Sequence, residues 1–162
     1  MLGLRIIGTF PMPQAEKNLI TVLLVDDEAD DRELAREVLR SRGYKVLEAD
    51  SSGQCTAVFD RNQSIVQLLI ADISLADGNG CDLALALWKQ KPELKVLFVS
   101  GHVGAEVCRF YGLEVTDLHF LRKPFTAEEL AARVQQVLNA DEGFPRLCTP
   151  QKPRTSTMGS TE

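Results

Sequence analysis

Between residues 21 and 140, short apolar runs alternate with stretches of helical period. Residues 21–25 read TVLLV and predict a strand. Residues 29–42 then place Leu34, Ala35, Val38 and Leu39 three to four positions apart, a stripe that predicts an amphipathic helix, with Gly43 where a C-terminal cap belongs. Residues 45–49 predict a second strand. Ser51 and Ser52 can cap a helix running to about Asn62, with Val58 and Phe59 turned inward. Residues 68–71 are continuously apolar, as in a central strand covered on both faces, and a turn follows at Asp77, Gly78, Asn79 and Gly80. The next helix, 81–90, buries Leu83, Ala84 and Leu87 before Pro92 blocks continuation. Residues 95–99 form the fourth predicted strand, 105–110 a shorter helix and 119–121 a weak fifth strand. Beyond Pro124, Thr126 and Glu129 make a capping box that opens a last helix through Leu130, Val134 and Leu138.

Strands alternating with helices specify a parallel sheet covered on both faces. The expectation is one α/β domain at 21–140, flavodoxin-like and doubly wound, with five parallel strands in the order 2-1-3-4-5. Residues 1–20, of mixed polarity with Pro11 and Pro13, are expected as an N-terminal extension. Residues 141–162, holding three of the seven prolines, are expected as a flexible C-terminal tail.

Composition narrows the function classes. The chain has 162 residues, 44% hydrophobic and 25% charged, as an average globular domain has. A core of this size needs no disulfide or structural metal. Cys55, Cys81, Cys108 and Cys148 match no metal-binding or redox spacing, so free thiols in a reducing cytoplasm are expected. The body at 21–140 carries 13 basic and 19 acidic side chains, a balance of −6 that argues against nucleic acid and suits a cation or a basic partner. No apolar run reaches the 18 residues of a membrane span, and residues 1–10 lack a signal-peptide cleavage pattern.

The chemistry-bearing groups all follow the ends of apolar strands: VLLV runs into Asp26 and Asp27, LLIA into Asp72, VLFV into Ser100 and HFLR into Lys123. In an open parallel sheet those ends share one edge, and ligands bind there where the strand order reverses. The predicted order brings strands one and three together, crowding Asp26, Asp27 and Asp72. Two such charges about 4 Å apart cost roughly 4 kcal/mol at an effective dielectric near 20, so a positive group must sit among them. A hard divalent cation such as Mg²⁺ meets that need, and Lys123 adds an ammonium. Metal and ammonium beside a carboxylate suit phosphoryl transfer onto Asp72.

At these residues the chain resembles the receiver domain of two-component response regulators. The resemblance covers about 20–140 and rests on VDDE at 25–28, Asp72 with Gly80 eight residues on, VSG at Ser100, and Lys123-Pro124. It implies that Asp72 accepts phosphate from a phosphohistidine of a sensor histidine kinase or phosphotransfer protein, and that Asp27, Asp72 and the backbone carbonyl of Ser74 ligate Mg²⁺ while Asp26 acts mainly through water. It further implies that Ser100 hydrogen-bonds the phosphoryl group, that Phe120 takes the place of the switching aromatic, that Lys123 pairs with the phosphate, and that the Lys123–Pro124 peptide is cis. Ala76 stands where the family usually has proline, and Gly101 where it usually has alanine. The VSGH form is similar to receivers attached to hybrid sensor kinases.

Taken singly, each of these residues has an ordinary reading as turn, cap or surface charge; their shared order and strand-end placement favour the joint one. Asp50 is read as part of the cap beside Ser51, His102 and His119 as structural or exposed, and Trp88 and Phe110 as packing. Tyr111 is a weaker candidate for a partner surface. The alternative function is a degenerate receiver that binds partners without phosphorylation. An FMN enzyme is disfavoured because DDEADD repels phosphate, and an aspartyl phosphatase because its Asp-x-Asp is absent. A 22-residue tail is too short for a separate DNA-binding module, so output through contact with a downstream protein, in the cytoplasm, is expected.

Overall fold

The computed structural model describes residues 19–101 and 105–147. Its central sheet holds β1 (Thr21–Val25), β2 (Lys45–Ala49), β3 (Val66–Asp72), β4 (Lys95–Ser100) and β5 (Phe120–Arg122), all parallel, in the order β2-β1-β3-β4-β5. Between them run α1 (Ala29–Ser41), α2 (Ser52–Asn62), α3 (Gly80–Gln90), α4 (Ala105–Phe110) and α5 (Ala127–Asn139). The five-stranded doubly wound architecture and its strand order are as expected.

The continuous apolar strands are explained by their two covered faces. Alternate residues of a strand point to opposite sides. Leu23, Leu69, Ala71, Val96 and Phe98 pack with Phe59, Leu83 and Leu87 of α2 and α3, and Cys108 of α4 joins them. Val22, Leu24, Ile70, Leu97 and Val99 pack on the other side with Val38 and Leu39 of α1 and Leu130 and Val134 of α5. Fully burying each such side chain contributes about 1.5–3 kcal/mol.

Caps set the helix ends. Gly43 has φ +87°, its N–H donates to Arg40 and the Tyr44 N–H to Leu39, closing α1 in the left-handed conformation that glycine adopts at no steric cost. The Ser51 hydroxyl accepts from the Gln54 N–H, Asn79 Oδ1 from the Cys81 N–H, and Thr126 with Glu129 forms the reciprocal capping box.

Three expectations are corrected. Leu34 is 51% exposed and leaves the apolar stripe, because it lies roughly 90° around the helix from the centre of the Ala35, Val38 and Leu39 arc. The fifth strand starts one residue late, since His119 ends a 3₁₀ turn (Asp117–His119) in which its buried ring meets Thr116 Oγ1 at 3.1 Å and the Glu142 carbonyl at 3.2 Å. Residues 141–147, expected as tail, form a strap packed on the body. Phe144 stacks on Trp88 at 4.9 Å, Pro145 is buried, the Gly143 carbonyl accepts from the Val96 N–H, and Arg146–Leu147 pairs antiparallel with Leu113–Glu114. Phe144 and Pro145 give this strap an apolar anchor that its polar surroundings conceal. The rest of the expected tail, and residues 1–18, lie outside the described residues.

Candidate functional site

Strand register assembles the site. Val25 lies opposite Ala71, Asp72 opposite Val99, and Ser100 opposite Arg122, so the residues at or just past these strand ends share one edge. The ladder continues beyond the strands: the Asp26 N–H donates to Ala49, that of Ile73 to Val99, and that of Lys123 to Ser100. Asp26, Asp27 and Asp72 each offer a carboxylate oxygen within 4.8 Å of the others.

Each buried acid is held at both oxygens. Asp26 Oδ1 accepts from the Glu28 N–H and Asp72 Oδ1 from the Ser74 N–H, both at 2.9 Å. The two Oδ2 atoms converge on Lys123 Nζ, at 2.6 Å from Asp26 and 2.9 Å from Asp72. The third ammonium proton points to Asp31 Oδ2 at 2.9 Å. The Lys123–Pro124 peptide is cis.

The electrostatics follow from burial. The side chains of Asp26, Asp72 and Lys123 are only 3, 8 and 13% exposed. Loss of water pushes the Asp26 carboxyl above its ordinary value, against the pull of Lys123 and the Glu28 N–H. Burial works against the Lys123 ammonium as well, yet the hydrogen bonds to Asp26, Asp72 and Asp31 outweigh it and hold its pKa above the ordinary lysine value. One lysine thus faces Asp26, Asp27, Asp31 and Asp72. With the acids ionised the cluster keeps a surplus of negative charge at the mouth of a cleft of about 730 Å³, which Ser74, Ser100 and Phe125 also line.

An all-oxygen set of this kind suits a hard cation rather than a soft one. Buried Asp26 and Asp72 with exposed Asp27 can hold one beside the Lys123 ammonium that already bridges Asp26 and Asp72.

Every strand-end residue singled out from sequence lines this edge. Asp26, Asp27, Asp72 and Lys123 meet directly; Ser100, 2% exposed at the end of β4, and Ser74, exposed after β3, lie on the same cleft. Phe120 is half-buried against the α2–α3 side of the core. His102 lies outside the described residues. Asp50 is not the cap; Ser51 is, and the exposed Asp50 instead gives its N–H to Gln54 Oε1.

Sequence reasoning missed three participants. Asp31 stands in the first turn of α1, which follows directly on the β1 end that carries Asp26 and Asp27, and reaches Lys123 Nζ from there. Arg32 donates to the Asp26 carbonyl at 2.7 Å. Asp77, read only as a turn residue, accepts from the N–H groups of Ser52 and Gly53 at 2.8 and 3.1 Å and so caps α2 from a distant loop. Those backbone hydrogen bonds hold its carboxyl below the usual range. Gly80 has a steric reason: a Cβ there would collide with the Asp72 backbone carbonyl, while its N–H bonds Ile73 at 2.9 Å.

Comparison with known proteins agrees with this geometry. Residues 22–135 match the response regulator receiver domain family. The transcriptional regulatory protein CpxR of Escherichia coli K12 is 32% identical over 136 residues, 78% of this chain and 56% of that protein. PhoB of Pseudomonas aeruginosa, the phosphate regulon transcriptional regulatory protein, is 35% identical over 73% of this chain and 51% of its own length. The sensor kinase CckA of Brucella abortus is 32% identical over 75% of this chain but 13% of its own. The chain thus spans about half the length of the two regulators and a small part of the kinase. Among solved structures, a receiver domain protein from Clostridium thermocellum superposes with TM-score 0.65 at 27% identity, covering 75% of this chain and 95% of that one. The non-phosphorylated HemR receiver domain of Leptospira biflexa gives 0.64 at 31%, covering 74% and 94%.

Proposed function

The chain belongs to the response regulator receiver domain family, and we propose that Asp72 is its phosphoacceptor, drawing a phosphoryl group from a phosphohistidine on a sensor kinase or phosphotransfer protein. The observation that carries this reading is the convergence of Asp26, Asp27 and Asp72 with Lys123 at one sheet edge. An Asp72 carboxylate oxygen attacks phosphorus, a P–O bond forms as the P–N bond breaks, and the departing imidazole keeps its electron pair. The Lys123 ammonium stabilises charge on the phosphoryl oxygens, and Ser100 offers a hydroxyl at the same cleft.

Mg²⁺ is the cation we assign to Asp26, Asp27 and Asp72 together with the Ser74 carbonyl; bound there it supplies neutralisation of the incoming phosphoryl charge. A phosphoryl group adds about −1.5 to −2 charges to a cluster that already carries surplus negative charge, so Lys123 alone is an insufficient counter-ion. The added charge pulls Ser100 and Lys123 toward Asp72 and biases a two-state equilibrium of the β4–α4 and β5–α5 segments. Output is contact with a downstream protein, from a working unit at residues 21–140 in the cytoplasm. Among the described residues no helix is long and apolar enough to cross a membrane.

The test is intact mass spectrometry after acetyl phosphate treatment, with and without Mg²⁺. The expected result is a gain of one phosphoryl group that needs Mg²⁺ and is lost in Asp72→Asn. Equal labelling of Asp72→Asn removes Asp72 from its role. No labelling of the wild type, with partner affinity equal in both forms, replaces the switch with a phosphorylation-independent binding module.

A further inference from the structure

Cys81 and Cys108, twenty-seven residues apart in the chain, meet inside the core. Both are fully buried thiols, and their sulfurs lie 2.7 Å apart. Unbonded carbon atoms rest at about 3.5–4.0 Å. A disulfide needs 2.03–2.05 Å. The two sulfurs are therefore already well inside ordinary packing distance, and bonding requires a further approach of about 0.7 Å.

The elements that carry them differ in firmness. Cys81 sits in the first turn of α3, whose start is fastened to the Asp72 loop by the Gly80 N–H on Ile73 and by Asn79 Oδ1 on the Cys81 N–H. Cys108 belongs to α4, six residues long and too short to be stable alone. Among the side chains described on α4, Cys108 is the only fully buried one; Phe110 is 85% exposed. The helix that grips the core least is thus held there by a thiol already against its mate.

We propose that Cys81 and Cys108 form a reversible intramolecular disulfide, a modification site that ties α4 to the phosphoacceptor loop through α3. The oxidant is a peroxide, admitted when α4 opens locally. The Cys108 thiolate attacks one peroxide oxygen, the O–O bond breaks, and the departing hydroxide takes a proton to give water and a sulfenic acid. Cys81 then attacks that sulfur. The S–S bond forms, the S–O bond breaks, and hydroxide leaves with the Cys81 proton as a second water, so two thiols lose two electrons and two protons in all. Cys108 is the attacking partner because it rides on α4, the short helix whose opening admits the peroxide, and at this separation either sulfur can donate to the other. Cys55 serves as an internal control, its thiol pushed up by burial to about 12.

This inference is independent of the phosphoacceptor reading. The experiment exposes the full chain, with Cys148→Ser to leave out the fourth thiol, to hydrogen peroxide under native conditions. Alkylation in denaturant, peptide mapping and hydrogen exchange follow. The expected result is loss of two hydrogens, a linked peptide joining Cys81 to Cys108, alkylated Cys55, full reversal by dithiothreitol, and about tenfold slower exchange across 105–110. Asp72→Asn leaves the linkage unchanged, which separates its fate from that of the phosphoacceptor proposal. Recovery of both thiols as alkylated, their separate conversion to sulfinic acid, or a link to Cys55 overturns the proposal. So does the same two-hydrogen loss in Cys108→Ser. Unchanged exchange in the linked protein overturns the restraint on α4.

Discussion

Replacing Lys123 with methionine tests the electrostatic reading most directly, because methionine keeps much of the stem and removes only the charge. In the wild type the ammonium lies 2.6 Å from Asp26 and 2.9 Å from Asp72, and both acids are nearly excluded from water. Removing one partner of a buried ion pair costs about 3–5 kcal/mol, because the other charge stays buried without compensation. Asp31 is 40% exposed and recovers water, so it adds little. The expected loss is about 3 kcal/mol, or roughly 1.5 M in urea midpoint for an m-value near 2 kcal/mol/M. Trp88, stacked on Phe144, reports the transition by fluorescence.

Two further readouts identify the cause. Magnesium replaces the lost charge, so Lys123→Met gains more stability from Mg²⁺ than the wild type does; a site held at a hundredfold excess over its own Kd contributes about 2.7 kcal/mol. Acid does the same by protonation. The folded pKa of Asp26 lies above its unfolded value of 3.8, so between those two values the native state binds more protons and stability falls as pH rises. Without Lys123 to lower it, that pKa climbs and the window widens upward. The deficit of Lys123→Met is therefore largest near neutral pH and shrinks as the solution is acidified. A mutant with the wild-type midpoint in EDTA at neutral pH, or one whose deficit is the same in acid and in Mg²⁺, would refute the reasoning.

Other parts of the structure give shorter tests. Gly80→Ala drives a methyl group into the Asp72 carbonyl and is expected to lower stability by about 1–3 kcal/mol in thermal unfolding, with Mg²⁺ affinity falling alongside as Asp72 moves. Asp77→Ala removes the remote cap of α2. The depressed folded pKa of Asp77 means that its contribution is present above 3.8 and disappears as pH falls through the folded value, so the mutant differs from the wild type in urea at neutral pH and converges with it in acid below 3.8. Phe144→Ala removes the ring stacked on Trp88. It is expected to alter the Trp88 emission and to speed hydrogen exchange in the strap at 141–147 while leaving α1 unaffected.

Local signals were enough for most of the fold. The first, third and fourth strands each had an apolar run of four or more residues, and Gly43, Ser51 and Thr126 announced helix ends by chemistry that operates within a turn of the chain. The fifth strand is three residues long, so a buried histidine beside it shifted its start by one. Asp26, Asp27, Asp72, Ser100 and Lys123 were legible because strand order and strand ends suffice to bring them to one edge. What was hidden depends on how elements lie against each other in space. The bond from Lys123 to Asp31 spans 92 residues, Asp77 reaches Ser52 across 25, and the Cys81–Cys108 contact has no spacing signature at all. The strap was lost in a window of prolines and polar residues whose average hid Phe144 and Pro145.

The same geometry explains why a site this crowded is stable before any phosphoryl group arrives. Burying Asp26 and Asp72 is unfavourable, and the backbone N–H groups of Glu28 and Ser74 offset only one oxygen of each. The other oxygens depend on a single ammonium with three protons, and Lys123 spends all three, on Asp26, Asp31 and Asp72. It has no donor left for a phosphoryl oxygen. Engaging one therefore requires releasing a carboxylate, and a released carboxylate beside a new dianion is tolerable only when a cation takes the place of the ammonium. The position of Lys123 is thus coupled to metal binding by charge alone. Just past the end of β5, Lys123 stands where three acids compete for its protons.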